Sequence, residues 1–398
     1  MLTSAQPASL FNTAASAASI SVLAFDTDLC IIGDGAVGLA AGYLLAGDSS
    51  NLRILIGNTE RLPNQKAPSL PESVELIERG SRTGQRVAVT FQNVSADPAS
   101  AAKGVCGILI AAPTTEYGAI VRCLQTQFTS GQSILLLNAP LGSGLQFAHQ
   151  LKRAKVDCQL NVLELGALFD CASVDGTSLR IFGARDKVSV CGNSRNETRR
   201  ALSTTTSLSK SLVPASNLLE RGLSELERVI RPLLLLFGFL GGRERDLFDL
   251  SLVVNPSLTA LIRALEREVK ELGRAYHVPT RSFLETLTDL SAVSWDDADC
   301  LEQALVTVGP SLLAQSHCEA KGSGAALALA VLQRDVCETL VLVDELARVA
   351  RVHMPVLDSV IELANVVTKT DLRKSGRNLG DLGLFGLDAG EIIEFVNA

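Results

Sequence analysis

The sequence predicts two unlike halves, an α/β N-terminal half on a doubly wound sheet over residues 27–212 and an all-α C-terminal half over 213–398. Three observations carry this. Short apolar runs alternate with helix-length segments from residue 27 onward, the pattern of parallel strands joined by crossover helices. Past the polar stretch 192–200 and Pro214 the strand signals fade, and a period of 3.6 takes over. Aromatics make up 4% of the 398 residues against 47% apolar, so the cores must be aliphatic, as buried parallel strands and packed helices require.

Taken in order, 29–32 is a buried strand stopped by glycine, 36–45 a helix and 52–56 a second strand. The run 86–91 alternates, as an added or antiparallel strand does. Two more buried strands fall at 107–111 and 133–137, with a helix over 119–127 between them. Strands at 159–163, 178–182 and 187–191 continue the first half. In the second half, 257–272 lines up Leu258, Leu261, Ile262, Leu265, Val269 and Leu272 on one helix face. The segment 335–350 does the same with Val336, Leu340, Leu342, Val343, Leu346 and Val349.

Residues 1–26 form an Ala- and Ser-rich N-terminal extension with no Lys or Arg before Arg53, unlike a signal or transit peptide. The longest apolar run, 232–242, is about half a membrane span. Nine cysteines without any CxxC pairing read as reduced, buried thiols, so a cytoplasmic protein without a metal site is expected. The net charge of −7, with scattered basic residues, excludes a nucleic-acid footprint.

The chemistry begins at Gly33-Asp34-Gly35-Ala36-Val37-Gly38, a GxGxxG between the first strand and the first helix. The first glycine permits the tight turn, and the second lets backbone approach a pyrophosphate. The third lets helix and strand pack closely, and the helix N-terminus supplies amide donors. This is a Rossmann dinucleotide site. About 20 residues on, where an NAD enzyme carries a carboxylate for the ribose, stand Asn58, Thr59 and Arg61. Arg61 leans the expected cofactor toward NADP(H) over NAD(H), with Glu60 as counterweight. The loops carrying Ala112 and Pro113, and Asn138 and Pro140, follow strands at the same edge and should border the nicotinamide.

The ordered set GDGAVGLAAGYLLA, ILIAAPTTEYGAIV, ILLLNAPLGSG, Val162-Leu163-Glu164, VPASNLLERGLSELERVIRPLLLL, ALEREVKELGRAYHVPT and GRNLGDLGLFGL resembles the octopine/nopaline (opine) dehydrogenase family over roughly residues 27–390. The resemblance implies NAD(P)H-dependent reduction of an imine, formed from an amine or amino acid and an α-keto acid in the cleft between the domains. It also implies small-molecule partners and places Glu164 and Arg377 as substrate-binding residues. The family's Asn-x-Asn-x-x-x-His-Pro, whose histidine is the acid/base, falls on Glu225-Leu226-Glu227-Arg228-Val229-Ile230-Arg231-Pro232, which puts Arg231 in the place of the histidine. Arginine stays protonated and cannot serve as a base. Arg231 can polarise a keto oxygen or hold a carboxylate. Glu227, four residues earlier, can shuttle a proton or pair with Arg231. A catalytically silent nucleotide- or metabolite-binding homologue, or a different dehydrogenase or imine reductase reaction on the same scaffold, stays open. Of the four histidines, His149, His277 and His353 read as structural or exposed; His317, in the loose segment 315–324, is the one that could reach the cleft, but it has no predicted partner and is not taken as a site residue. The acidic stretch 295–299 reads as a solvated helix start, and the helical half leaves room for a homodimer.

Overall fold

The computed structural model describes residues 29–33, 36–46, 52–55, 70–78, 84–88, 94–95, 97, 101–204, 212–240, 250–290, 300–314 and 324–398. The N-terminal extension 1–26, Asp34, Gly35, Asn58, Thr59, Arg61, His317, Cys318 and the 295–299 stretch lie outside them.

An eight-stranded sheet organises the first half. Its strands are β1 (Leu29–Ile32), β2 (Leu52–Leu55), β5 (Val94–Ser95), β6 (Gly107–Ile110), β7 (Ser133–Leu136), β8 (Asn161–Leu165), β11 (Val188–Gly192) and β12 (Leu212–Pro214), in the order β12-β11-β8-β7-β6-β1-β2-β5. All neighbours are parallel except β8 and β11. The chain leaves β1 toward β2 and β5, then returns to build outward from β6. The topological switch therefore lies between β1 and β6, where doubly wound sheets open a crevice. In-register residues Ile31, Leu109, Leu135 and Leu163 build one buried face. Cys30, Ile108, Ile134 and Val162 build the other, against α2 (Tyr117–Leu124) and α3 (Ser143–Arg153).

The strand pattern alone predicts 178–182 in this same sheet. The structure instead pairs it in a second, four-stranded sheet, β4 (Gln85–Ala88), β3 (Ser73–Ile77), β10 (Ser178–Phe182) and β9 (Cys171–Asp175), of which β3 and β9 are additions to the predicted strands. The physical reason lies in α1 (Ala36–Ala46), AVGLAAGYLLA, apolar on every side. Such a helix must be covered all round. Leu39, Ala40, Ala41 and Leu44 share one core with Leu29 and Ile31 of the main sheet and with Ala172, Leu179 and Ile181 of the small one. Cys171, at the start of β9, is disulfide-bonded, which corrects the expectation of reduced thiols throughout.

After α4 (Arg195–Thr204) and β12 the chain is helical: α5 (Leu218–Ser224), α6 (Glu227–Leu240), α7 (Pro256–Ala275), α8 (Phe283–Asp289), α9 (Leu301–Ala314), α10 (Gly324–Asp335), α11 (Val341–Val349), α12 (Pro355–Thr368), α13 (Leu372–Ser375) and α14 (Ala389–Asn397). Helix α6 runs through the middle, packed on α7, α10 and α12. Leu233, Leu234, Leu235 and Leu236 are all buried, as a run of four leucines covering every side of the helix demands. Asn255 caps α7 by accepting from the Ser257 and Leu258 amides, with Pro256 as its first residue. The segment expected as one helix over 335–350 instead contains a π turn, Val336–Leu340, between α10 and α11. No helix among the described residues is long and apolar enough to cross a membrane.

Candidate active site

The glycine turn meets its geometric requirements. Gly33 has φ of 148°, and a Cβ there would sit 2.8 Å from the Ala111 carbonyl oxygen, on the loop after β6. A Cβ on Gly38 would lie 2.3 Å from the Gly33 carbonyl oxygen. Glycine is thus the residue that lets α1 start hard against β1. Ala36 and Val37 open that helix and are half-buried, with no acidic residue in the first turn to oppose an anion.

The two predicted loops follow the carboxyl ends of the neighbouring strands β6 and β7. Ala112 is half-buried, Pro113 exposed, and Thr114 buried at the start of a 3₁₀ turn. Asn138 takes a positive φ of 49°, a conformation asparagine tolerates better than most residues, and Pro140 is buried. Burial leaves the carbonyls of this second loop in need of donors. Three arginines of the helical half supply them. Arg228 Nη2 donates to the Asn138 carbonyl at 2.5 Å, Arg221 Nη2 to Ala139 at 2.5 Å, and Arg377 Nη1 to Leu141 at 2.8 Å.

Each arginine has its own surroundings. Arg221, fully buried, also grips Glu164 Oε2 at 2.7 Å and Glu225 at 2.5 Å. Burial works against its charge, and Glu225 and Glu164 outweigh that and raise it. Burial in turn pushes the Glu225 carboxyl up, opposed by Arg221 and Arg228. Glu164 accepts from the Gly144 amide at 2.8 Å through its other oxygen. Both its oxygens thus serve to join β8, the start of α3 and α5.

Arg377 follows α13. Its Nε donates to Gln146 Oε1 at 2.7 Å, and its Nη1 also to the Glu338 carbonyl at 2.9 Å. Its main-chain amide donates to the Cys337 carbonyl at 2.8 Å. The π turn explains both acceptors, because a widened turn takes carbonyls out of the regular ladder. Arg377 Nη2 is buried with no hydrogen-bond partner among the described residues. Burial lowers the Arg377 guanidinium from its ordinary value, opposed by Glu338 and Tyr117. Glu338 itself accepts from Thr114 Oγ1 at 3.3 Å, across the domain junction.

The two residues expected to act together on α6 are held apart by different partners. Arg231, 1% exposed, forks onto Asp335 with Nε at 2.5 Å and Nη2 at 2.8 Å, and its Nη1 donates to the Leu312 carbonyl at 3.1 Å. Glu227 accepts from Arg185 at 2.9 and 3.2 Å, and Arg185 also pairs with Asp170 at 3.3 Å. In place of the expected Glu227–Arg231 pair, Arg231 is held by Asp335 at the end of α10, and Glu227 by Arg185 from the loop before β11. The glycine turn, the two loops, Glu164 and Arg377 therefore cluster along one junction, while the Arg231 fork turns into the helical core.

Sequence reasoning missed Arg221, Arg228, Gln146, Asp335 and Glu338. The spacing of Arg221, Glu225 and Arg228 at steps of four and three was a visible signal of one charged helical stripe. Glu338 offered no such signal, since it sits inside an apolar run.

No protein-family model matches the chain. A protein named opine dehydrogenase from Arthrobacter sp. (strain 1C) is 23% identical over 301 residues, covering 75% of this chain and 81% of its own. A solved structure of octopine dehydrogenase with NADH and L-arginine matches with a TM-score of 0.64 at 16% identity, over 92% of this chain and 97% of that one. Yersinopine dehydrogenase with NADP+ gives 0.59 at 18%, over 93% and 97%. A 2-dehydropantoate 2-reductase from Geobacter metallireducens GS-15 gives 0.53 at 15%, over 85% and 99%. The chain thus has a Rossmann domain joined to a helical C-terminal domain, the fold of the octopine and yersinopine dehydrogenases, and in sequence it resembles an opine dehydrogenase.

Proposed function

We propose that this chain is an NAD(P)H-dependent oxidoreductase that reduces the imine formed between an amine or amino acid and an α-keto acid. The observation that carries the reading is the junction itself. The sheet side carries a turn too tight for side chains at 33 and 38, and the loop after β7 is held by a buried arginine, Arg377, whose Nη2 has no hydrogen-bond partner among the described residues. The first is a cradle for a pyrophosphate, and the second a donor for a carboxylate. The similar proteins support both parts, since octopine dehydrogenase is solved with NADH together with L-arginine, agmatine or pyruvate, and yersinopine dehydrogenase with NADP+.

In this reading Gly33 to Gly38 hold the dinucleotide, and Ala112, Pro113, Asn138 and Pro140 border its nicotinamide end. When bound, the reduced nicotinamide supplies a hydride. A protonated imine accepts hydride to become a secondary amine without any further proton, so this step asks the protein for placement and charge rather than for a base. Arg377 anchors the keto-acid carboxylate, and Glu164 fixes the floor of the site through Gly144 and Arg221. Arg231 and Glu227 then act as positioning residues, holding α6 against Asp335 and Arg185, and an arginine is compatible with that work. Asn58 and Arg61 favour NADP(H) over NAD(H). A cytoplasmic setting belongs to the same reading, supported by seven free thiols among the described cysteines, with the disulfide at Cys171 weighing the other way.

Fluorescence titration of the purified protein with NADPH and NADH tests the cofactor half. Saturable binding with NADPH tighter is expected. Absence of binding by either would remove the reading.

A further inference from the structure

Forming an imine asks for something that reducing it does not. An ammonium must lose a proton before its nitrogen can add to a keto carbon, and the hydroxyl of the adduct must gain one before it leaves as water. A group that takes and gives a proton is required. Arg231 is an arginine forked onto Asp335 and cannot do this. The other acidic groups along the junction are committed elsewhere. Glu164, wholly out of water, spends its oxygens on the Gly144 amide and on Arg221. Glu227 is held by two nitrogens of Arg185. Burial raises the Glu225 carboxyl, but Arg221 grips it at 2.5 Å and it lies against Ser189 of β11, three strands along the sheet from β6. Burial pushes the Tyr117 phenol and the Cys191 thiol up, so both stay protonated. Glu338 differs from all of these. Its contacts are long, 3.3 Å from Thr114 Oγ1 and 3.5 Å from Arg228 Nη1, and it keeps 7% exposure. It sits in the π turn Val336–Leu340, a widened turn of a kind that recurs at functional sites. Its tie to Thr114 sets it beside Ala112 and Pro113, the loop that in the proposed reading borders the nicotinamide.

We infer that Glu338 is the proton carrier of imine formation, taking a proton from the substrate ammonium and returning it to the departing hydroxyl. This inference rests on the imine-reductase reading and deepens it. The ammonium gives one proton to the Glu338 carboxylate, and the freed nitrogen bonds to the keto carbon. A second proton passes from that nitrogen to the keto oxygen, which becomes a hydroxyl. Glu338 then protonates the hydroxyl, the C–O bond breaks, water leaves, and the nitrogen lone pair closes the C=N bond. Nitrogen keeps its third hydrogen and its positive charge, and Glu338 ends as the carboxylate it began. The hydride step that follows makes no call on it. Thr114 holds one carboxylate oxygen and Arg228 stands by the other, so the group is kept in place between its two transfers.

The test is steady-state kinetics on the full chain with reduced cofactor and an amino acid and α-keto acid pair that it turns over. Glu338→Gln keeps the size of the side chain and an acceptor for Thr114 but cannot carry a proton. Its kcat should fall on the order of a hundred- to ten-thousandfold, the usual worth of a positioned acid/base group, with cofactor affinity little changed. Condensation should then limit the rate, so deuterium at the transferred position of the cofactor should leave the variant's kcat unchanged. Glu338→Asp keeps a carboxyl, drawn back by one methylene. It should retain part of the rate with the same small isotope effect, and it decides the matter if the glutamine variant fails to fold. Undiminished kcat in these variants, or a clear primary isotope effect on their slowed turnover, overturns the assignment. If that happens while the unmodified chain reduces the pair, the role of Glu338 falls and the reductase reading stands. If the unmodified chain turns over no pair, both fall together.

Discussion

The Arg231 guanidinium meets Asp335 edge to edge, Nε to Oδ2 at 2.5 Å and Nη2 to Oδ1 at 2.8 Å, with both side chains out of water. This pair occupies the place where the resemblance sets a histidine, and it ties α6 to the end of α10. A buried pair broken on one side leaves a lone charge, which costs about 3–5 kcal/mol. Arg231→Met should therefore lower unfolding free energy by about that amount in urea denaturation. The double variant Arg231→Met, Asp335→Leu should recover part of the loss, because it removes the lone buried charge, although the Leu312 carbonyl loses its donor and Arg228 and Arg334 lose a nearby carboxylate. A double variant as unstable as the single one would show that the pair is not the source of the effect.

The same pair sets an acid limit. Burial alone would raise the Asp335 carboxyl, but Arg231, Arg334 and Arg228 outweigh it and hold it below its ordinary value. A carboxyl lowered in the folded state stabilises fully above its unfolded pKa, and that contribution disappears as pH falls through the folded one. Asp335→Asn should accordingly be less stable than the unmodified chain at neutral pH, with the gap closing in the acid range below the ordinary aspartate pKa. Melting temperatures measured across that range check this, and a gap that widens on acidification would contradict it.

At the glycine turn the expectation is steric. Gly38→Val forces a side chain into the Gly33 carbonyl, where even a Cβ would stand at 2.3 Å. The turn must open, so cofactor affinity should drop on the order of tenfold or more, as the close approach of helix and pyrophosphate is lost. A variant that binds NADPH as before, by fluorescence titration, would place the nucleotide elsewhere.

Arg377→Met removes a donor that reaches Gln146, the Leu141 carbonyl and the Glu338 carbonyl, and deletes the orphan Nη2. The KM for the keto acid should rise on the order of ten- to a hundredfold with cofactor affinity little changed. Steady-state kinetics separate this from a general loosening of the junction, which would move both constants.

Much of this architecture was legible in the chain. Leu29-Cys30-Ile31-Ile32 followed by GDGAVG announces a buried strand, a turn and a helix, because few other structures use glycine at those spacings. The second sheet was less visible, since β4 is QRVA on an exposed edge and β9 is the short CASVD, neither with a full alternating face. The π turn cannot be read at all, as VCETL continues the apolar period of its neighbours. Arg377 could be singled out through the family resemblance, whereas Arg228 could not. What distinguishes Arg228 is a carbonyl 90 residues earlier, at Asn138, and that proximity exists only in the folded chain. The Glu227–Arg231 pairing was reasonable on helix spacing alone, but Arg185 and Asp335 offered each residue a closer partner from another element.

The most direct test of imine reduction follows nicotinamide absorbance while NADPH, an α-keto acid and an amino acid are supplied together and in pairs. Oxidation that needs both organic substrates and saturates in each is the predicted result. Oxidation with the keto acid alone would make the chain a simple ketone reductase. Cofactor binding without turnover by any amine and keto-acid pair would make it a silent homologue, and either result contradicts the imine-reductase reading.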